Sequence, residues 1–311
     1  PQTNMELTLR NGQELHYDTT LIMGIINVTP DSFFSQSRCQ DEQSIRTRVR
    51  QIIEEGGDII DVGAYSSRPE GDEVSEEEEL SRLKMALPII KEELSLHTPN
   101  NIIPVSVDTF RASVARTCVL EYGADMINDI SGGTLDEKML ETVVELNVPY
   151  VLMHMRGTPQ TMQQMTDYPD GVTNEVMAFF RRQIEKVETI VKSEGLILDN
   201  GKEHLQGNIK SCQIILDPGF GFAKTIEQNY QLFSNLSAFK SSFPQYPLLV
   251  GISRKSMIYK LLEGDADKAL NGTTVLNALA VASGADILRV HDVKEAKAVV
   301  TQLSDINKND L

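Results

Sequence analysis

The 311-residue sequence has only three cysteines, Cys39, Cys118 and Cys212, and they lie far apart. No pair has the spacing of a metal site or a redox motif, so we expect reduced thiols and a cytoplasmic protein. The sequence also lacks any run of about 18 apolar residues, and we therefore expect no membrane span. Its polar N-terminal residues do not fit the pattern of a signal peptide.

Positive charge is scarce. The chain has 29 Lys and Arg residues against 45 Asp and Glu residues, which gives a formal net charge of −16. This balance argues against nucleic acid as a partner. A negatively charged ligand would need a locally positive site. Four cationic residues that follow predicted strands could provide it: Arg68, Lys255, Arg289 and His291.

Short apolar runs rich in Val and Ile alternate with helical patterns from residue 21 onwards, which is typical of buried parallel strands in an α/β protein. The eight predicted strands cover residues 21–27, 59–63, 103–107, 126–129, 149–154, 213–217, 248–252 and 287–290. Asp41 can cap a first helix that stops at Gly56, and Ser75 with Glu78 fits a capping box for a helix to about residue 96. Further helices are predicted over residues 110–122, 137–146, 173–194, 226–239, 272–284 and 293–303.

Eight strand–helix units predict a closed (β/α)8 TIM barrel, in a single domain over residues 1–311 with the barrel at about 21–304. An open doubly wound sheet is the alternative, but it needs a glycine-rich phosphate turn after its first strand. The corresponding residues 28–31 contain no glycine. Residues 5–17 predict an additional β-hairpin with its turn at Asn11-Gly12, which we expect to close the floor of the barrel.

Polar side chains stand where several predicted strands end. One Asp at such a position has about even odds of being a simple helix cap. Several are harder to explain in that way, because the strands of a barrel bring their carboxyl ends to a single mouth. Acceptors grouped there can bind a ring rich in N–H donors. The acceptors in question are Asn27, Asp108, Asn128, Asp129 and Asp217.

Two cations end the last predicted strand. Arg289 and His291 are two residues apart in an extended segment, so their side chains can point to the same side and face one anion. Phosphate sites in these barrels are often built after the seventh and eighth strands. A lone Arg would more often form a surface ion pair, but the spacing of this pair favours an anion site. Lys255 follows the seventh strand directly and could face Asp217.

Taken together, seven strand ends resemble those of the dihydropteroate synthases, the pterin-condensing transferases of folate synthesis, over about residues 7–303. The motifs that carry the resemblance are Ile26-Asn27, Asp61-Val62-Gly63, Val107-Asp108-Thr109, Ile127-Asn128-Asp129, residues 217–222, Ser253-Arg254-Lys255-Ser256 and Arg289-Val290-His291. The resemblance implies condensation of (7,8-dihydropterin-6-yl)methyl diphosphate with p-aminobenzoate to give 7,8-dihydropteroate and diphosphate, with Mg²⁺ as cofactor.

The resemblance also implies a role for individual residues. The pterin would be bound by Asp108, Asn128, Met153, Asp217, Phe222 and Lys255. The diphosphate would be bound by Asn27, Arg68, Arg289 and His291, with Asn27 as the Mg²⁺ ligand. p-Aminobenzoate would be bound by Phe33, Ser67, Arg68, Pro69, Phe222, Lys255 and Ser256. The catalytic residues would be Asp108, Lys255 and Asn27, and Asp129 is interpreted as structural.

The chemistry that this implies is loss of diphosphate from a methylene carbon, and an anionic Asp108 beside the ring would stabilise the cationic transition state. Two loops, residues 28–40 and 63–74, are expected to act as lids over the second substrate. One departure from the family is Ala64-Tyr65-Ser66-Ser67, which stands where most members have Gly-Glu-Ser-Thr. This leaves the sensitivity to sulfonamides, the expected competitive inhibitors, open.

Two alternatives remain at this stage. A pterin-dependent corrinoid methyltransferase shares the pterin-binding Asp and Asn positions but has no use for Arg289, His291 and Lys255. An inactive pterin-binding paralogue is the second alternative, because the second loop is altered. The resemblance further implies a homodimer built on the last helices.

Overall fold

The computed structural model describes residues 4–29, 38–67, 71–194 and 213–309. Its strands are β1 (Met5–Thr8), β2 (Glu14–Tyr17), β3 (Leu21–Asn27), β4 (Ile59–Gly63), β5 (Val105–Asp108), β6 (Met126–Asp129), β7 (Tyr150–Met153), β8 (Ile214–Asp217), β9 (Leu249–Val250) and β10 (Ile287–Val290). Its α-helices are α1 (Glu42–Glu54), α2 (Glu76–His97), α3 (Ala112–Tyr122), α4 (Met139–Leu146), α5 (Val172–Ser193), α6 (Ile226–Ser234), α7 (Leu236–Ser242), α8 (Ser256–Tyr259), α9 (Leu270–Ala282) and α10 (Val293–Asn309).

Strands β3 to β10 form one eight-stranded parallel sheet in the order β8-β7-β6-β5-β4-β3-β10-β9. The two edges meet at a parallel bridge between Leu216 and Leu248, where the Leu216 N–H also donates to the Pro247 carbonyl at 2.9 Å. The sheet therefore closes into a barrel with helices between successive strands, as the sequence predicts. Closure brings all eight carboxyl ends to one mouth.

The N-terminal hairpin lies at the opposite end of the barrel. β1 and β2 pair antiparallel around a turn that contains Gly12 at φ 86°. Met5 and Leu7 pack into the interior against the amino-terminal halves of the barrel strands, and the Gln213 amide donates to the Glu6 carbonyl at 2.8 Å. The hairpin is the barrel's floor, as predicted. It leaves the mouth as the accessible end.

The predicted helix caps at Asp41 and Ser75 are formed, but the capping box at Ser75 is incomplete. Asp41 accepts from the Ser44 N–H at 2.8 Å, and Ser75 accepts from the Glu78 N–H at 3.1 Å, but the Glu78 carboxylate pairs with Arg82.

The helix predicted over residues 226–239 is two helices, α6 and α7. Asn235 separates them, because its side-chain amide donates to the Gln231 carbonyl and competes with the backbone pattern of a helix.

Four strands, β3, β4, β6 and β10, have the predicted bounds, and the other barrel strands differ by one or two residues at an end. The short helix α8 after Lys255 was not predicted. Within the described part of the chain, no helix has both the length and the apolar character needed to cross a bilayer.

We predict that Leu7→Ala destabilises the protein without altering its mouth. Leu7 is fully buried among barrel residues, so the truncation removes apolar contacts and leaves a cavity, at a cost of about 2–5 kcal/mol. Urea unfolding measures the change in free energy. The matched control is Leu96→Ala, because Leu96 is 64% exposed and its truncation should change stability by less than about 0.5 kcal/mol. Equal effects of the two variants would contradict the role of the hairpin as a floor.

Candidate active site

A pocket lined by described residues opens at the mouth of the barrel. Strand ends and the loops that follow them supply its walls. The lining residues are Ile25, Asn27, Thr29, Tyr65, Ser66, Ser67, Asp108, Asn128, Ile130, Met153, Asp217, Phe222, Gly251, Lys255, Arg289 and His291. The structure thus brings together ten of the residues to which the sequence assigned a role: Asn27, Ser67, Asp108, Asn128, Met153, Asp217, Phe222, Lys255, Arg289 and His291.

The deepest polar group is a buried ion pair. Arg289 donates through Nε to Asp61 Oδ2 at 2.8 Å, and its terminal nitrogen lies 3.3 Å from Asp108 Oδ2. The Asn128 amide also donates to Asp61 Oδ2, at 3.1 Å. Asp61 is fully buried, whereas Asp108 keeps about a fifth of its side chain exposed to the pocket. One carboxylate therefore orients the Arg and Asn side chains next to Asp108.

Asp61 had no role in the sequence-based prediction, although its strand end was part of the resemblance. A signal was present: Asp61 is a charged residue in the middle of β4, which is otherwise apolar and fully buried. A buried charge needs a partner, and Arg289 is that partner. Its second oxygen, Oδ1, has no hydrogen-bond partner within the described residues.

Asp108 ends β5. Burial, and after it the negative charge of Asp61, raise the pKa of the Asp108 carboxyl above its usual range, while Arg289 opposes that shift. The pKa of Asp217 is also raised by burial, and it is held down by Lys255 and by the Gly219 N–H that Asp217 accepts at 2.9 Å. Both carboxyls are hydrogen-bond acceptors in a pocket that also has an apolar wall, formed by Ile130, Met153 and Phe222.

Lys255 lines the same pocket as Asp108. Its Nζ donates to the Phe220 carbonyl at 2.7 Å and lies 4.9 Å from the centre of the Phe222 ring, a cation–π distance. Burial lowers the pKa of the Lys255 ammonium to about 8, although the charge of Asp217 opposes that shift. Ser256, the next residue, begins α8 and is not one of the pocket-lining residues.

The loop after β8 is tightly determined. Gly219 has φ +77°, and a Cβ there would lie 1.9 Å from the His154 carbonyl oxygen, so only glycine fits. Lys224, which is buried, donates to the carbonyls of Gly219 and Phe222 at 2.9 Å each and contacts His154 Nδ1 at 3.0 Å. These contacts hold Phe222 at the pocket. His154 is thus a packed residue that does not line the pocket.

Asp129 is occupied by structural contacts. Its carboxylate accepts from the Ser131 N–H and hydroxyl, from the Gly133 N–H and from the Tyr150 hydroxyl, all at 2.6–2.9 Å. It is fully buried and does not line the pocket. These bonds fix the loop after β6, which agrees with the structural interpretation of this residue.

Asn27 ends β3 beside Gly63 of β4 and is partly exposed to the pocket. No cluster of three or more His, Cys, Asp or Glu side chains that could hold a metal ion occurs within residues 4–29, 38–67, 71–194 and 213–309. A Mg²⁺ ion that keeps several waters and shares phosphate oxygens needs only one or two protein ligands. A single amide oxygen from Asn27 fits that type of site.

The altered second loop has its own contacts. Tyr65 packs edge-on against Phe110 with ring centres 5.0 Å apart, its hydroxyl accepts from the Gln160 amide at 3.1 Å, and the Arg111 guanidinium lies 5.4 Å from its ring centre. Tyr65 therefore joins three of the loops around the mouth. Three residues predicted to bind the second substrate, Phe33, Arg68 and Pro69, lie outside the described residues.

The profile of the pterin-binding enzymes matches residues 23–208 and 202–291. The dihydropteroate synthase of Synechocystis sp. is 40% identical over 287 residues, which cover 92% of this chain and 89% of that protein. The Haemophilus influenzae dihydropteroate synthase is 37% identical over 283 residues, 91% of this chain and 92% of that protein.

Solved structures agree. The Yersinia pestis dihydropteroate synthase in complex with a sulfonamide drug superposes with a TM-score of 0.81 at 35% identity, covering 98% of this chain and 100% of that one. The Thermus thermophilus enzyme in complex with 4-aminobenzoate gives 0.75 at 32% identity, covering 97% and 99%. The chain therefore belongs to the pterin-binding enzyme family and, within it, to the dihydropteroate synthases.

Proposed function

We propose that this chain condenses (7,8-dihydropterin-6-yl)methyl diphosphate with p-aminobenzoate, giving 7,8-dihydropteroate and diphosphate. The observation that carries the proposal is that one pocket combines acceptors for a heterocycle, Asp108, Asn128 and Asp217, with two residues suited to an anion, Arg289 and His291. A substrate with a donor-rich ring at one end and a diphosphate at the other matches both sets.

The pterin ring would lie against the wall of Met153 and Phe222, with its N–H donors towards the carboxylates of Asp108 and Asp217. Asn128 can offer its amide oxygen because its amide nitrogen is engaged by Asp61. Lys255 would leave the Phe220 carbonyl and donate to the ring oxygen. This arrangement is supported by the match between the N–H donors of the pterin ring and the acceptors that surround the apolar wall of Met153 and Phe222.

The diphosphate would lie between Asn27, Arg289 and His291, with Arg68 as a further contact. Asn27 would hold Mg²⁺, which when bound neutralises charge on the diphosphate. The guanidinium of Arg289 is oriented by Asp61 before any ligand arrives, so little ordering is needed when the anion binds.

In the reaction, the bond between the methylene carbon and the diphosphate oxygen breaks, and the electron pair leaves with diphosphate. The amine nitrogen of p-aminobenzoate bonds to the carbon and releases one proton, which the departing diphosphate can accept. Positive charge spreads from the carbon into the ring. An ionised Asp108 next to the ring lowers the energy of that state.

p-Aminobenzoate would bind at the outer part of the pocket, where Ser67 lies, with Phe33, Arg68, Pro69, Phe222, Lys255 and Ser256 around it. A sulfonamide drug is bound by the related Yersinia pestis protein, and 4-aminobenzoate by the Thermus thermophilus one. We propose that sulfonamides compete for the same place here. A corrinoid methyltransferase is not favoured, because the relatives are dihydropteroate synthases.

We further propose a homodimer on the last helices and a cytoplasmic location. The dimer is supported by apolar side chains of α9 and of the turn after α8 that are at least half exposed: Leu261, Leu262, Val275 and Leu279. The location is supported by the free, buried thiols of Cys39 and Cys118.

Replacing Asp108 by Asn should lower turnover by about 10² or more, the usual loss when one preorganised electrostatic group is removed. The amide keeps the size and one acceptor but loses the charge, so the dissociation constant of the pterin should change less. Steady-state kinetics and calorimetry measure the two effects. Asp18→Asn is the control, because this exposed carboxylate lies at the floor end of the barrel. Near-normal turnover of the Asp108 variant would remove this residue from the mechanism.

Arg289→Lys and His291→Ala should each raise the dissociation constant of diphosphate by about 10-fold or more, because each removes a hydrogen bond to a charged ligand. Lys is used at position 289 so that buried Asp61 keeps a cation nearby. A pterin without diphosphate should bind both variants almost normally. If both ligands lost affinity equally, the two residues would be structural rather than a phosphate site.

A sulfonamide should bind at least several-fold more tightly when diphosphate and Mg²⁺ are present, which is the usual range for linked sites. The p-aminobenzoate part of the pocket is proposed to consist largely of loop residues. Ordering a loop costs about 1–2 kcal/mol per residue, and bound diphosphate would order these residues before the sulfonamide binds. Calorimetry with and without diphosphate and Mg²⁺ tests this coupling. Equal affinity in both conditions would indicate a preformed pocket and defeat the model of ordered binding.

A further inference from the structure

Ser253 contacts His291 twice. The backbone N–H of His291 donates to Ser253 Oγ at 3.1 Å, and the same oxygen lies 2.8 Å from His291 Nδ1. Both residues are almost completely buried. Ser253 had no role in the sequence-based prediction, although it opens the motif that contains Lys255.

The hydroxyl has one hydrogen, and its position can be deduced. Oγ already accepts the His291 N–H. If Nδ1 also donated to it, the hydroxyl hydrogen would need another acceptor, and no further contact of Ser253 Oγ occurs within the described residues. At 3% exposure, solvent does not supply one. The hydroxyl hydrogen therefore points to Nδ1, which must be the acceptor.

We propose that Ser253 is a positioning residue that fixes the His291 ring in the neutral tautomer with its proton on Nε2, so that an N–H donor is directed into the pocket. Nε2 lies on the side of the ring away from Ser253, and the ring lines the pocket. An N–H at this position can donate to an oxygen of an anionic ligand. The inference rests on the proposed diphosphate site and adds a specific role for a residue that does not touch the ligand.

The surroundings keep the ring neutral. Burial, and then the charges of Arg289, Arg48 and Arg254, hold the pKa of the His291 imidazole well below its usual range. A neutral ring has one N–H, so its tautomer decides whether the pocket receives a donor or an acceptor. An acceptor facing a diphosphate oxygen would be repulsive.

The backbone on both sides is held as well. The His291 carbonyl accepts from Arg48 at 2.7 Å, while its N–H is bound by Ser253. Ser253 precedes Arg254, which has φ 54° and is fixed by a fork of bonds to Asp292 at 2.7 and 2.9 Å. The Arg254 N–H also donates to the Thr273 hydroxyl at 3.0 Å. The hydroxyl of Ser253 is therefore presented from a rigid turn.

The experiment uses the full chain labelled with ¹⁵N-histidine. The sequence has five histidines, so the signals of His291 can be assigned with a His291→Gln variant. Nitrogen chemical shifts and couplings distinguish the two neutral tautomers from each other and from the charged ring. We expect His291 of the parent protein to be neutral with its proton on Nε2. A proton on Nδ1, or a charged ring, would overturn the proposal even if diphosphate binds.

Two variants separate the hydroxyl from the bulk of the side chain. Ser253→Ala should release the ring, change its tautomer signals and raise the dissociation constant of diphosphate by about 10-fold, as expected when a hydrogen bond to a charged ligand is weakened. Ser253→Thr keeps the hydroxyl and should retain both the signals and the affinity. Unchanged diphosphate affinity in a folded Ser253→Ala would overturn the proposal. If Ser253→Ala does not fold, the tautomer of His291 in the parent protein and the diphosphate affinity of Ser253→Thr still test the proposal.

The same measurements keep this inference apart from the proposed function. If the parent protein does not bind diphosphate, the proposed function fails whatever the tautomer is. If His291→Ala weakens diphosphate binding but Ser253→Ala does not, the diphosphate site stands and the role of Ser253 falls.

Discussion

The buried ion pair between Asp61 and Arg289 is the interaction on which the mouth of the barrel depends. Asp61 is fully buried in β4, and without a partner its charge would cost several kcal/mol. Arg289 comes from β10 and Asn128 from β6, so a single carboxylate oxygen ties together three strands of the barrel. The terminal nitrogen of Arg289 is thereby aimed at Asp108. The positions of these side chains are fixed by the sheet and not by the loops.

A protein with a net charge of −16 can still offer a site for an anion because the charges in the pocket are arranged individually. Two carboxylates, Asp108 and Asp217, line the pocket together with the cations Lys255 and Arg289, and His291 contributes a neutral ring. Opposite charges lie next to each other, so each carboxylate offers an acceptor without making the whole pocket repulsive to a phosphate. The charge of the surface says little about the charge at the bottom of the mouth.

Much of this could be predicted from the sequence, and the reasons differ from residue to residue. Strands β3, β4, β6 and β10 had the predicted bounds because their apolar runs end abruptly, at a glycine in β4 and at polar residues in the others. Asp108, Asn128, Asp217 and Arg289 were assigned to the site because strand ends meet at one place in a barrel and because their motifs resemble those of the dihydropteroate synthases. The break at Asn235 depends on one side-chain hydrogen bond and could not be read from periodicity.

Asp61 and Ser253 act through another residue, and that kind of role needs coordinates. Asp61 was visible as a charge in an apolar strand, but its partner lies 228 residues away along the chain. Ser253 gave no signal at all, since a serine in a loop is ordinary. The neighbours of Tyr65 were equally hidden, because they come from two other loops. Sequence patterns do not reveal side-chain contacts between residues that are far apart in the chain and depend on a specific geometry.

The sharing of one Asp61 oxygen by Arg289 and Asn128 bears on how the pocket can change over generations. A substitution at any of these three residues leaves a buried charge or amide without its partner, so loss of stability accompanies any change of shape. A residue carried by a loop, such as Ser67, which is partly exposed, is not tied to this buried charge. Escape from an inhibitor should therefore arise at the loops, and a compound confined to the strand-end half of the pocket would leave the protein few viable routes to resistance.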